Sequence, residues 1–287
     1  MADVVVIGGC NFDIKARAKE ANRLGTSNPG TVMTSAGGVA RNIAHNLARL
    51  GADVALVAAI GRDAMGDAVL EETRKAGVDV SHVQRVEGST GTYIAILDHD
   101  GELITAMNDM MAVDLLSPSH VSAAAGLLGK ARLVVADCNL PLATLEAIAA
   151  EARDRLLVEP VSVPKSRKLM HLLQRGSIAY ATPNLDQIEA LTGTREIEAA
   201  SALLHEKGLR NVIIHAGPDG AFCSSGDGIS HVPAAPAGSV VDVTGAGDGA
   251  VAGLVYGLLK GKDLVAAAGE GQKLAGRIVA SARSYLE

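Results

Sequence analysis

The chain has 287 residues, of which 48% are hydrophobic and 2% aromatic, and a formal net charge of -6. That composition supplies a sizeable aliphatic core and excludes a globally disordered chain. An acidic balance without a long basic run, and with no Trp, gives no electrostatic or stacking support for binding a nucleic-acid polymer.

In chain order, residues 4–7 (Val-Val-Val-Ile) form an apolar run closed by Gly8-Gly9, the pattern of a buried parallel strand ending at a functional edge. No basic n-region precedes it and no apolar stretch is long and clean enough for a bilayer, so a cytoplasmic enzyme is expected. Cys10, Cys138 and Cys223 form no CxxC pair, which favours a reducing compartment. Residues 12–34 are polar, with a turn at Asn28-Pro29-Gly30. Val39, Ile43, Leu47 and Leu50 recur at helical spacing and Gly51 ends them. A buried strand is predicted over 54–60 and a helix over 66–76, stopped by Gly77. Residues 90–107 read as a hairpin turning at Asp98-His99-Asp100-Gly101, with 103–106 as the returning strand. The segments 12–35 and 90–107 thus predict a small accessory sheet, used either as a lid over the carboxyl edge of the main sheet or as ordinary surface hairpins.

The strand–helix rhythm then resumes. Strands are predicted over 133–136, 156–158, 177–181 and 212–215, and helices over 142–153, 169–173, 187–191 and 196–206. A late hairpin turns at 226–228, and helices over 250–259 and 264–282 close the chain. The expected fold is α/β: a doubly wound, mostly parallel sheet with helices on both faces and a small β-sheet lid. No linker or repeat divides residues 1–287, so one catalytic unit is expected.

The segment Asp242-Val243-Thr244-Gly245-Ala246-Gly247-Asp248 carries the chemistry. Its glycines allow backbone angles other residues resist, and they directly precede an apolar helix. Unpaired N–H groups at a helix start make an anion site suited to a phosphoryl group. Asp248 beside them either caps the helix or accepts a proton from an attacking hydroxyl. The segment lacks the spacing of a P-loop, and Ala250 stands where a dinucleotide fingerprint has its last glycine.

With Gly37-Gly38-Val39-Ala40-Arg41-Asn42 and Gly8-Gly9-Cys10-Asn11-Phe12-Asp13 in the same order, the chain resembles the ribokinase-like sugar and nucleoside kinases, the PfkB carbohydrate kinase family, over nearly its whole length. The resemblance implies transfer of the ATP γ-phosphoryl group to a hydroxymethyl oxygen. It implies Asp248 as the base, Gly245, Ala246 and Gly247 as the anion hole, and Asn11, Asp13, Gly38 and Asn42 around the sugar hydroxyls. Asn42 has the alternative of serving only the Gly37-Gly38 turn. Nucleotide contacts are implied at Asn184, Gly217 and Gly220. Magnesium is implied with the ATP, and a monovalent cation such as potassium near Asp242, which has the alternative of a purely structural role. The N-x-x-E motif reads Asn184-Leu185-Asp186-Gln187 here, which leaves Asp186 and Glu189 as the nearby carboxylates to stand in for the missing glutamate. The segments at 105–110, 136–141 and 159–165 resemble the pseudouridine kinase branch, with Asn108 either as base reader or as an amide that only stabilises its loop. Alternatives are a kinase of ribose or another nucleoside, and a non-catalytic sugar-binding regulator. Exposed strand edges in the lid predict a homodimer.

Overall fold

A computed structural model describes residues 2–176, 178–238, 240–281 and 283–287. The central sheet has eight strands in the order β14-β13-β12-β11-β10-β9-β1-β4. β1 (Val4–Ile7) lies between β4 (Val54–Val57) and β9 (Leu133–Asp137), with Val5 opposite both Ala55 and Val134. β10 (Leu156–Glu159), β11 (Ile178–Ala181) and β12 (Leu209–His215) continue the parallel array. β13 (Ala221–Ser225) and β14 (Gly228–Val232) add an antiparallel edge.

Successive side chains of these strands serve opposite layers, as a period of two requires. Val4, Val6, Leu56 and Val135 pack with Ile43, Leu47, Val251, Leu254 and Leu274. These come from the helices Val39–Arg49, Ala246–Leu259 and Leu264–Val279. Val5, Ile7, Val134 and Val158 pack with Leu145, Ile148, Leu169 and Ile188 on the other face. Both faces are covered, which is why the strands are unbroken apolar runs rather than alternating ones. Full burial of each Val, Leu or Ile contributes about 1.5–3 kcal/mol, so the two aliphatic layers carry the fold without Trp.

A separate sheet has the order β3-β2-β7-β8. Its strands are β2 (Asn11–Ala18), β3 (Gly30–Gly37), β7 (Thr92–Leu97) and β8 (Leu103–Asp109). β2 runs antiparallel to β3 and parallel to β7.

Several boundaries differ from the sequence expectation. The strand predicted over 54–60 breaks at Ala58, and β5 (Ala59–Gly61) leaves the main sheet to pair with β6 (Gln84–Val86). The helix predicted from 66 begins at Ala64, because Asp63 accepts a hydrogen bond from Gly66 N at 2.8 Å and caps it. The strand predicted to end at 106 continues to Asp109, which pairs with Thr92. The last helix ends at Val279; Ser177 and Ala282, expected ends of a strand and a helix, lie outside the described residues. Among those residues no helix is long and apolar enough to cross a membrane.

Candidate active site

Asp137 closes β9 and is fully buried. It accepts from Gly9 N at 2.8 Å, Ala40 N at 2.9 Å and Asn139 N at 2.9 Å. Burial pushes its carboxyl up and these three N–H groups pull it back, with a net rise. One carboxylate thereby joins the turn after β1, the start of the helix Val39–Arg49 and the turn after β9. Gly38 caps that helix with φ 98. A Cβ there would lie 2.6 Å from Gly9 C and 2.7 Å from Cys10 Cα, so only glycine lets the two turns meet. Asn11 opens β2 and donates through Nδ2 to Asp13 Oδ1 at 2.5 Å. Burial raises the Asp13 carboxyl, against the Asn11 bond and the Lys15 and Arg41 charges.

Across the cleft, Gly245 is the left-handed cap of the helix Ala246–Leu259, with φ 81. The Ala246 N–H donates to Val243 O at 3.2 Å, and Gly249 N to Gly245 O at 2.9 Å. The turn therefore uses one of the three expected anion donors, and helix geometry leaves the Gly247 and Asp248 N–H groups for a ligand. Asp248 accepts from Asn42 Nδ2 at 2.8 Å, so Asn42 is turned to the carboxylate and not only to its own turn. Burial holds the Asp248 carboxyl well above the ordinary aspartate range; the Asn42 bond opposes this, and Glu159, Asp137 and Asp13 add to it. Burial likewise lifts Glu159 to about 7, against bonds from Thr182 and the Val161 N–H. A base with a raised pKa is better matched to a hydroxyl proton than an ordinary carboxylate.

Two cavities flank this turn. One, of about 530 Å³, is lined by Asn11, Asp13, Gly38, Asn42, Asn108, Gly245 and Asp248, and also by Asn139, Ser162 and Lys165. The other, of about 380 Å³, is mainly apolar and is lined by Gly217, Pro218, Val240, Val243, Ala246 and Gly276 among others. Adjacent residues Gly245 and Ala246 belong to different cavities, so the helix start is the wall between them.

Three expected residues have other partners. Asp242 accepts from Lys15 Nζ at 2.5 Å and from Thr244 N at 2.8 Å. Partial burial pushes its carboxyl up, but the Lys15 and Thr244 bonds outweigh that and its pKa falls below the ordinary value. The Lys15 ammonium occupies the carboxylate beside which a monovalent cation was expected. Asn184 caps the helix Leu185–Thr192: its side chain accepts from Gln187 N, and Gln187 Oε1 accepts from Asn184 N, both at 2.9 Å. Gln187 completes a reciprocal cap, and neither substitute acid is spare, since Asp186 and Glu189 both pair with Arg195 on the surface. Gly220 meets the chain after β14, where a Cβ would lie 2.5 Å from Ala234 N. Asn184 and Gly220 line neither of the two cavities.

Sequence reasoning assigned no role to Asp137, Asn139 or Glu159. Each is a polar side chain at the carboxyl end of a buried strand, the edge where such sheets bind ligands. Lys165, left without a role, donates to Asn139 Oδ1 at 2.5 Å inside the larger cavity.

A helix start that offers N–H groups to an anion, with a carboxylate of raised pKa held beside it between a polar and an apolar cavity, suits phosphoryl transfer to a hydroxyl. Comparison with known proteins agrees: the profile of the pfkB family carbohydrate kinases matches residues 1–285, and the chain belongs to that family. It is 40% identical over 264 residues to the Escherichia coli (strain K12) protein named "Uncharacterized sugar kinase YeiI", covering 90% of this chain and 72% of that one. It is 34% identical over 258 residues to a pseudouridine kinase of the same strain, covering 88% and 82%. A solved carbohydrate kinase from Agrobacterium tumefaciens superposes with a TM-score of 0.86 at 30% identity, covering 99% of this chain and 93% of the other. The chain is an ATP-dependent sugar or nucleoside kinase.

Proposed function

We propose that the chain transfers the γ-phosphoryl group of ATP to the 5′-hydroxyl of pseudouridine. The observation that carries this reading is the Asn42–Asp248 hydrogen bond at 2.8 Å, set at the wall between the two cavities. Asp248 takes the proton of the acceptor hydroxyl, and the Gly247 and Asp248 N–H groups hold the phosphoryl oxygens. ATP lies on the apolar side, over Gly217 and Val243. The acceptor lies on the polar side, its ribose over Asn11, Asp13, Gly38 and Asn42. The C-linked base of pseudouridine presents both N–H and C=O groups, and Asn108, Asn139 and Lys165 supply matching acceptors and donors. Similarity to a named pseudouridine kinase supports the same acceptor.

Magnesium would neutralise the phosphate charge. The described lining of the apolar cavity contains no carboxylate, so on this reading the ion would be held by the phosphates of the nucleotide itself. Potassium at Asp242 would have to displace Lys15. The four-stranded sheet forms a lid over the acceptor within a single unit, and the Lys15–Asp242 bond ties that lid to the phosphate turn. Similarity to a protein named a sugar kinase favours a second reading, a simple sugar acceptor.

A panel of pseudouridine, uridine, adenosine and ribose with MgATP, read as ADP release and 5′-monophosphate formation, tests the acceptor. Pseudouridine is expected to show the highest kcat/KM; turnover of ribose or uridine with none of pseudouridine refutes it.

A further inference from the structure

Arg41 lies one residue before Asn42, and its side chain is wholly inaccessible to solvent. A buried guanidinium must satisfy its donors or be strongly destabilising. Its Nε donates to Thr73 Oγ1 at 3.0 Å and its Nη1 to Asn42 Oδ1 at 3.3 Å and Ala36 O at 3.4 Å. Its Nη2 approaches His45 Nδ1 at 3.0 Å and Glu72 Oε1 at 3.4 Å. The Tyr285 ring stacks on it at 4.2 Å. Tyr285 in turn donates its hydroxyl hydrogen to Glu72.

The donor and acceptor roles are forced. A guanidinium can only donate, so His45 Nδ1 accepts and the proton sits on Nε2, which donates to Leu286 O at 2.8 Å. Burial and the Arg41 charge keep that imidazole neutral, with its pKa near 4. By the same logic Asn42 Oδ1 faces Arg41, so the NH₂ end of the amide must face Asp248. The Asp248 carboxylate, which only accepts, selects the same end of the amide, so Arg41 and Asp248 clamp Asn42 from both sides in one orientation.

We infer that Arg41 is a positioning residue for phosphoryl transfer: it fixes the Asn42 amide so that a donor always meets Asp248, and residues 283–287 hold Arg41 in place. The same segment reaches the other end of the site, where Ser284 packs under Gly245. The inference rests on the reading of Asp248 as the proton acceptor.

The test is the pH profile of kcat for Arg41→Lys, with MgATP and the fastest acceptor of the panel, beside wild type and Asp248→Asn. Lysine keeps the charge and loses the fork. Asp248 faces Glu159, Asp137 and Asp13, all of which raise its pKa, and Asn42, which lowers it. A loosened Asn42 therefore moves the acid limb to higher pH. A displacement of about one unit is expected, seen below the limb as a roughly tenfold loss of kcat, with acceptor KM changed less than about threefold. A limb that stays in place, or a loss of kcat equal at every pH, overturns the inference. If Arg41→Lys does not fold, Tyr285→Leu removes the stacking ring and is judged by the same limb, with a displacement of a few tenths of a unit expected and none overturning it. Wild-type-like turnover by Asp248→Asn would instead refute the base assignment itself, so the two failures are distinguishable.

Discussion

Replacing Gly245 with alanine perturbs the phosphate turn through two effects that add. The residue sits at φ 81, and a non-glycine residue in the left-handed region costs about 1–2 kcal/mol. The new Cβ would also lie 2.5 Å from Ser284 Cβ and 2.6 Å from Ser284 Cα. Forcing a methyl group against a packed chain costs about 1–3 kcal/mol. Together Gly245→Ala should lose about 2–5 kcal/mol, which at about 2 °C per kcal/mol for a chain of this size is a fall in Tm of roughly 4–10 °C. The turn can relieve the contact only by moving the 283–287 segment or the start of the helix Ala246–Leu259. The second movement displaces the Gly247 and Asp248 N–H groups, and a shift of about 1 Å in such a site costs about a hundredfold in rate. Gly247→Ala is the internal control. Beyond its chain neighbours and its own helix backbone, no atom of the described residues lies within 4 Å of the Cβ it would add, and its φ is not in the left-handed region, so its Tm should stay level or rise slightly as helix propensity improves. Differential scanning calorimetry with steady-state kinetics on both variants decides the matter. Equal Tm changes for the two, or a Gly245→Ala enzyme with wild-type Tm and kcat, would refute the reasoning.

The remaining expectations concern protonation and association. The acid limb of kcat should lie well above the ordinary aspartate pKa, because Asp248 must be ionised to accept a proton and its pKa is raised by burial; a limb at the ordinary value contradicts the site as described. Above that raised pKa, folding must keep the Asp248 charge desolvated, whereas below the unfolded pKa the group is neutral in both states. Asp248→Asn should therefore raise Tm at pH 8 and lose that gain on acidification, and calorimetry against pH would show it. Val32, Met33, Leu103, Ile104 and Met107 on the small sheet are all exposed, and pairing two lids would cover such a surface. Sedimentation equilibrium should give a dimer that Met33→Lys weakens; a monomer at all concentrations removes this proposal.

The main sheet was legible because its strands are buried on both faces. Residues 4–7 have no polar position to confuse the pattern. The break at Ala58 was not legible, because the residues on either side of it are equally apolar and the cause is a neighbour, β6, recruited from 84–86. At the site, the turn from Gly245 to Asp248 could be read locally, since glycines, helix start and carboxylate are contiguous. Asp137 could not, because two of its donors lie 128 and 97 positions away. The Lys15–Asp242 pair spans 227 positions, so the acid read as a cation ligand already had a cationic partner that no local pattern could announce. Gln187 is different: its spacing from Asn184 is a capping signature visible in the sequence, and the cap forms.

The wall between the two cavities is a single step of chain, from Gly245 to Ala246. Apart from Thr244, Gly245 and Asp248, the polar cavity on one side of that step, assigned to the acceptor in the proposed function, is lined by residues between 9 and 165. The apolar groove on the other side is built from residues after 216. If the proposed assignment of the two cavities holds, such a division would let acceptor choice drift without retuning the reaction. On the proposed reading, exchanges at Asn108, Asn139 or Lys165 would alter what is phosphorylated, while the turn from Gly245 to Asp248 and the apolar groove would keep their shape. One scaffold can in this way serve sugars and nucleosides alike, with selectivity and chemistry evolving as separable traits.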